Sequence, residues 1–307
     1  MNTLKIIGTI ALRAAKPHGA RSKLLFAYGA GLVVLLGLLT LARAFLFTLD
    51  QYWSGLLDNL SAGVLLAFIA LVWYRLLSPP ESFKEDLQVI DAWNIGPKLD
   101  DALKGTKDYW FRGRSARWFR AKALPRLAEA AQRDQVARHV HLILPDPANQ
   151  GVLNLYASHR NSLPDAGQDP WDSDRIRNEI LATILVAGQT AAGNRLLKVQ
   201  VFVLPEFSLF RYDLSDTGVV LTREDKRWPG WFSPAGTKFY ASVQEDLRIA
   251  SERGQKINLG QADWSTGALS LTTIPTLVRQ LGFAIALTST DVRSVLKAAN
   301  SRANPYV

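Results

Sequence analysis

Two long apolar runs stand at the front of the chain, and the remainder alternates between short apolar stretches and polar turns. Residues Leu24 to Ala42 are nineteen successive positions without a charge, and a second run, Asn59 to Tyr74, follows after a gap of sixteen. A hydrocarbon core about 30 Å thick needs roughly 20 apolar residues per helix. The first run supplies that length; the second reaches it by adding Leu56, Leu57, Leu76 and Leu77 across Asp58 and Arg75. The pattern predicts a two-helix transmembrane hairpin over 24–77. Tyr52 and Trp53 in the connecting loop, and Trp73 and Tyr74 at the far end, stand where amphipathic rings settle at a membrane-water boundary. Small residues at Ala27/Gly31 and Gly63/Ala67 would let the helices approach closely.

Beyond the hairpin the periods shorten. Pro79-Pro80 ends the second helix, and Ser82 to Leu103 reads as a helical connector with a break at Gly96-Pro97. Asp108 to Phe111 reads as a strand, Gly113-Arg114-Ser115 as a turn, and the following residues to about Arg133 as a helix with Leu124, Leu127, Ala128 and Ala131 on one face. Pro125 opens or kinks that helix. Val140 to Leu144 is a buried strand ended by Pro145-Asp146-Pro147. Ser173 or Asp174 caps a helix whose Ile176, Ile180 and Ile184, with Leu181 and Leu185, form an i, i+4 stripe closing near Gly193-Asn194. Lys198 to Leu204 is a second apolar strand, Phe210 to Asp213 and Val219 to Thr222 form a hairpin, and Gly236 to Arg253 is a helix. Thr290 to Ala299 is a last helix, while Pro275 and Arg279 argue against a third span within Leu269 to Leu287.

Strands alternating with helices predict the α/β class, with the hairpin followed by a cytosolic α/β sandwich. The expected segments are a basic cytoplasmic leader over 1–23, the hairpin over 24–77, a helical connector over 78–107 and a cytosolic α/β sensor domain over 108–307. No Gly/Ser-rich or Pro-rich linker divides the last of these.

Charge changes the picture in two ways. Lys5, Arg13, Lys16, Arg21 and Lys23 precede the first span without an acidic residue, whereas the connecting loop offers Arg43 against Asp50 and Asp58. Both termini are therefore expected in the cytoplasm of a bacterial cell, with the hairpin in the inner membrane. A cleaved signal peptide ending at Ala42-Arg43-Ala44 would need an unusually long leader and apolar run. The net charge of +9 also owes five positive charges to that leader, so residues 81–307 are too mildly basic to point to nucleic-acid binding. With no cysteine, disulfides, thiolate nucleophiles and Cys-ligated metals are excluded.

Candidate chemistry gathers where the strands end, since ligands of open α/β sheets bind beyond the carboxyl ends of strands. Arg112, Arg114 and Arg117, with Ser115 at the helix start, form an arginine-rich strand end that suits a phosphate. Ser115 could equally be a helix cap. Asp146 follows the next strand as either a ligand contact or a turn residue, and Arg211 with Asp213 is either a ligand contact or a cross-strand ion pair. Tyr156, His159 and Arg160 lie on a polar stretch with no independent signal. His139-x-His141 lacks a third ligand, so no metal site is expected, and no cofactor loop of the Walker A or G-x-G-x-x-G type is present.

The stretch Trp110-Phe111-x-Gly113-Arg114-Ser115, the helix through Leu124-Pro125-x-Leu127-Ala128-x-x-Ala131 and the strand His141-Leu142-Ile143-Leu144-x-Asp146-Pro147 together resemble the opening strand-helix-strand of phospholipase D-like domains. A membrane hairpin ahead of such a domain is similar to bacterial cardiolipin synthases. The catalytic H-x-K-x4-D is missing, the nearest approach being His159-x-Asn161 with Asp165, so the resemblance implies a phosphate-binding fold more than an activity and no catalytic residue is assigned. The whole arrangement resembles two-helix transmembrane effectors of antiphage signalling. On that basis the expected partners are the lipid bilayer, a phosphorylated small molecule such as a cyclic nucleotide, and further copies of the chain in a homo-oligomer. Two alternatives remain: a phospholipid- or phosphodiester-processing enzyme of the phospholipase D type, and a non-enzymatic membrane scaffold.

Overall fold

The computed structural model describes residues 20–45, 51–77, 86–164, 170–225 and 227–302. The chain divides into two compact units, Met1–Lys84 and Glu85–Val307. Most of the basic leader, the side chains of Arg43, Asp50, Tyr52 and Trp53, the start of the connector, and Asp165 lie outside the described residues.

The first unit is a helix pair, α1 (Ala20–Phe45) and α2 (Gln51–Leu77), packed against each other. Because α2 begins at Gln51, Tyr52 and Trp53 belong to its first turn and not to the loop expected for them. The packing position also differs from expectation. A Cβ at Gly29 would stand 3.3 Å from Leu71 Cδ2, whereas one at Gly31 or Gly63 would meet nothing within 4 Å. Gly29 is therefore the small residue that admits the partner helix. Among the described residues no helix is long and apolar enough to cross a membrane. Large apolar side chains along both helices, among them Val34, Leu38, Leu41, Leu66 and Trp73, are exposed.

The second unit runs β1 (Gln88–Ile90), α3 (Ile95–Ala102), β2 (Asp108–Arg112), a π-helical turn (Phe119–Ala123), α4 (Leu124–Asp134), β3 (Arg138–Pro145), α5 (Gln150–Asn161), α6 (Ser173–Ala192), β4 (Leu197–Leu204), β5 (Arg211–Ser215), β6 (Gly218–Thr222), β7 (Gly230–Pro234), α7 (Lys238–Arg253), β8 (Gln255–Ile257), α8 (Thr273–Gln280) and α9 (Ser289–Asn300). Its eight strands form one mixed sheet in the order β1-β7-β6-β5-β2-β3-β4-β8. The β2, β3 and β4 strands are parallel, and every other pairing is antiparallel. An α/β protein with a mixed sheet is thus what the alternating pattern yields.

Side-chain alternation along the strands separates two cores. Tyr109 and Phe111 of β2, with Val140, Leu142 and Leu144 of β3, face the larger one, which α6 fills with Ile176, Ile180, Ile184 and Leu185. Ile143, Phe202 and Leu214 face the other side, where α7 contributes Val243, Leu247 and Ala250. The central parallel strands carry helices on both faces, as buried parallel pairing requires.

The expected helical connector is corrected here. Gln88–Ile90 is an edge strand paired with β7, and α3 buries Ile95, Leu99 and Ala102 in the large core. Gly96 and Pro97 fall in the first turn of α3, where a proline removes no intrahelical hydrogen bond, so they open a helix. Asp172, not Ser173 or Asp174, caps α6 by accepting from the Arg175 amide at 2.7 Å. Leu269 to Leu287 contains the eight-residue α8, whose Ile274, Leu277 and Val278 are buried in the core.

The C-terminal helix is held by one carboxylate. Asp291 accepts from the Thr288 amide and hydroxyl in a capping box and from Arg177 and Asn178 of α6, at 2.6–3.0 Å. These donors outweigh burial and depress its pKa to about 2. An unfolded aspartate titrates near 3.9, so this stabilisation is complete above about pH 4 and fades as pH falls toward 2. Asp291→Ala should cost about 2 kcal/mol at pH 7 and remove that acid-sensitive component, as read from urea unfolding at pH 7 and pH 3.

Candidate functional site

The parallel strands β2, β3 and β4 end on the same side of the sheet, and their following loops carry the polar groups. After β2 the chain turns through Gly113, where a Cβ would come within 2.6 Å of the Phe111 ring, so only glycine fits. Ala116 then takes a left-handed φ of 54° before the helical segment begins. This turn directs Arg114 inward. Its Nη1 donates to the Leu209 carbonyl at 2.7 Å and its Nε lies 3.0 Å from Glu224 Oε2.

Glu224 follows β6 and is the focus of the cluster. Tyr156, on α5, donates its hydroxyl to Glu224 Oε1 at 2.8 Å, and Arg160 Nε lies 3.6 Å from the same oxygen. Tyr156 and Arg160 are one helical turn apart, so both reach the loops from one face of α5. All three holding groups are more than nine-tenths buried. Burial first, and then the Glu224 carboxylate, push the Tyr156 pKa far above the usual phenol range, with Arg114 and Arg117 pulling it back. The hydroxyl therefore stays a donor.

Trp171 forms the second half of the arrangement. Asn161 clamps its backbone with two hydrogen bonds, 2.7 Å and 2.8 Å, and the buried ring is met by three guanidinium groups. Arg175 lies 4.0 Å, Arg117 5.1 Å and Arg160 5.7 Å from its centroid. Stacking of this kind holds guanidinium groups in place. Arg117 has no ion pair among the described residues.

Compared with family models, curated proteins and solved structures, the chain shows no match. The site must be read from its own geometry.

That geometry brings together only two of the six candidate residues. Arg114 and Arg117 belong to the cluster. Arg112 instead faces the opposite side of the sheet, where Glu206 at 2.9 Å and Asp246 at 2.8 Å neutralise it. Ser115 is buried, and its carbonyl accepts from the Thr183 hydroxyl at 2.7 Å; its side chain caps no helix. Asp146 is a turn residue whose side chain accepts from the Ala148 amide at 2.8 Å. Arg211 is buried, donates to Asp213 at 2.7 Å and stacks on Trp118, while Tyr109 donates to the same carboxylate. These four are structural members of loops and core.

Sequence reading missed Trp171, Arg175 and Glu224 and gave Tyr156 and Arg160 no weight. The i, i+4 spacing of Tyr156 and Arg160 was the available signal. Glu224 had none, because it arrives from the far side of a hairpin. His159 sits beside Phe207 at 5.7 Å between ring centroids, and among the described residues no group of three His, Asp or Glu could hold a metal.

The Arg114–Glu224 contact is buried enough that losing one partner leaves an uncompensated charge. Arg114→Ala should destabilise the protein by about 3 kcal/mol, and adding Glu224→Gln should recover part of that loss. A double-mutant cycle in urea measures it; strictly additive losses would show that the two charges do not depend on each other.

Proposed function

We propose that the protein is a membrane-anchored sensor whose α/β unit binds a phosphorylated ligand at the Arg114, Arg117, Arg160 and Trp171 cluster, and whose helical hairpin acts on the bacterial inner membrane as the output. The observation that carries this reading is Arg117. A half-buried guanidinium, stacked on a clamped tryptophan beside two further arginines and without an ion pair among the described residues, is poised for an external anion. Its place beyond the carboxyl ends of parallel strands is where ligands of such sheets bind.

The resemblance to phospholipase D-like domains supports the same place. The stretch that carries the resemblance contains Arg114, while the catalytic H-x-K-x4-D is absent, so the resemblance implies a phosphate-binding fold without the imidazole nucleophile. This favours ligand recognition over phosphodiester cleavage.

Support for the membrane half comes from the hairpin. Its helices contain 26 and 27 residues; since no helix among the described residues is long and apolar enough to cross a membrane, the reading rests on the side chains they expose. The apolar side chains they expose are at home in lipid and would be costly in water. Two helices cannot enclose a pore, so the output on this reading is assembly of several hairpins in response to ligand, as in antiphage effectors. Ligand can drive assembly only by binding the assembled form more tightly.

Arg117→Ala should weaken binding of a phosphorylated ligand by about 1.5 to 3 kcal/mol while leaving unfolding nearly unchanged. Calorimetry on the full chain in nanodiscs, against a panel of cyclic nucleotides and inorganic pyrophosphate, tests this. Unaltered affinity in that variant would return the cluster to a purely structural role.

Membrane depolarisation on expression with ligand should be lost in Gly29→Leu, which forces Leu71 away, and retained in Gly31→Leu, where space is open. Ligand affinity should be the same in both. Equal depolarisation by the two variants would detach helix packing from the output.

A further inference from the structure

The cluster that would hold a phosphate already holds an anion of its own. Tyr156, Arg160 and Arg114 converge on the Glu224 carboxylate, with contacts of 2.8, 3.6 and 3.0 Å. To a guanidinium or a phenol, carboxylate and phosphoryl oxygens present the same acceptor chemistry. The holding groups come from α5 and from the tight turn after β2, but the carboxylate comes from the connection between β6 and β7. Donor and acceptor thus sit on different elements, one of which can leave.

The described ties of that connection are stacking and a local turn. Arg223, next to Glu224, is exposed and has no ion pair among the described residues; it is stacked 5.3 Å from Trp228, 5.3 Å from Trp231 and 5.8 Å from Phe210. Asp225 holds Arg227 in a local turn. Trp228 is 53% exposed. Asp225 is itself buried and serves this local turn, while Glu224 is the group of the segment that meets the Tyr156, Arg160 and Arg114 cluster.

We infer that Glu224 is an internal competitor occupying the phosphate position, and that a phosphorylated ligand binds by displacing it, releasing the segment that carries Arg223 and Trp228. The inference rests on the phosphate-binding reading above. It adds that the empty site is closed by its own chain. A phosphate carrying two charges competes well with a single carboxylate among several arginines, whereas a neutral or singly charged solute does not. Binding also changes the surroundings of Trp228, which gives the event a local readout and the protein a surface that differs between its two states.

The test uses the full chain in detergent micelles titrated with inorganic pyrophosphate. Glu224→Gln removes the competing charge and should bind about tenfold more tightly than the unaltered protein. Glu224→Ala also removes the competing charge, leaves the Tyr156 donor to the ligand, and should likewise bind about tenfold more tightly. Pyrophosphate should change tryptophan emission in the unaltered protein, and Trp228→Phe should lose that change while still binding. Should Glu224→Gln fail to fold, the Glu224→Ala affinity and the Trp228 signal decide the matter. Pyrophosphate binding that both substitutions leave unchanged or weaken would overturn the competitor while leaving the phosphate site standing. Absence of binding in all three proteins would overturn both.

Discussion

A guanidinium keeps its charge at every pH a folded protein tolerates, so burying one obliges the fold to bring an acceptor to it. The α/β unit buries five, Arg114, Arg120, Arg138, Arg160 and Arg211. Four of them act as sutures between elements distant in sequence, while Arg211 pairs with Asp213 along its own strand. Arg120 ties the π-helical turn to Glu179 and Thr183 of α6. Arg138 ties the start of β3 to Asp134 and to the Thr106 carbonyl before β2. Arg211 fixes the β5 hairpin through Asp213, which also accepts from Tyr109 of β2. These contacts lie at the ends and edges of the parallel strands, where the backbone ladder stops and side chains must take over.

The remaining two converge on one carboxylate. Arg114 and Arg160 both contact Glu224, which also accepts from Tyr156, and Arg117 reaches the same neighbourhood by stacking on Trp171. Replacing a buried ion pair by apolar groups is often neutral or favourable, so a convergence of this kind is what the proposed recognition of an outside anion would use.

Much of this was legible in the sequence, for identifiable reasons. The strands Asp108–Arg112, Arg138–Pro145 and Leu197–Leu204 announce themselves by apolar runs because both faces of a central parallel strand are covered. The helix at Ser173–Ala192 shows its stripe because it alone fills much of the larger core. The edge strands β1 and β8, three residues each, carry too few positions for any period to appear, and β7 is masked by Pro229, Gly230 and Pro234. At the site, Arg114 and Arg117 could be found because they follow a strand. Arg112 and Arg211 look the same in sequence, yet strand parity sends Arg112 to the opposite face and a nearby aspartate absorbs Arg211. Chain-distant partners such as Glu206, Asp246 and Glu224 decide which arginine is spent, and no local pattern encodes them.

The same reasoning bears on how a signal could leave the α/β unit. Its centre is a rigid set of parallel strands locked by arginine sutures, with close packing on both faces, and such material has no second arrangement of similar energy to switch to. The connection between β6 and β7 is different. On the proposed reading its Glu224 ion pair is exchanged for an equivalent one with the ligand, so two positions of the segment would differ mainly by the balance between two anions. A bistable element of that kind is what ligand-driven population shift requires. Whatever the hairpin does, the part of the α/β unit able to report an occupied site is the short stretch whose carboxylate and aromatic residues border that site, while the sheet behind it holds the arginines still.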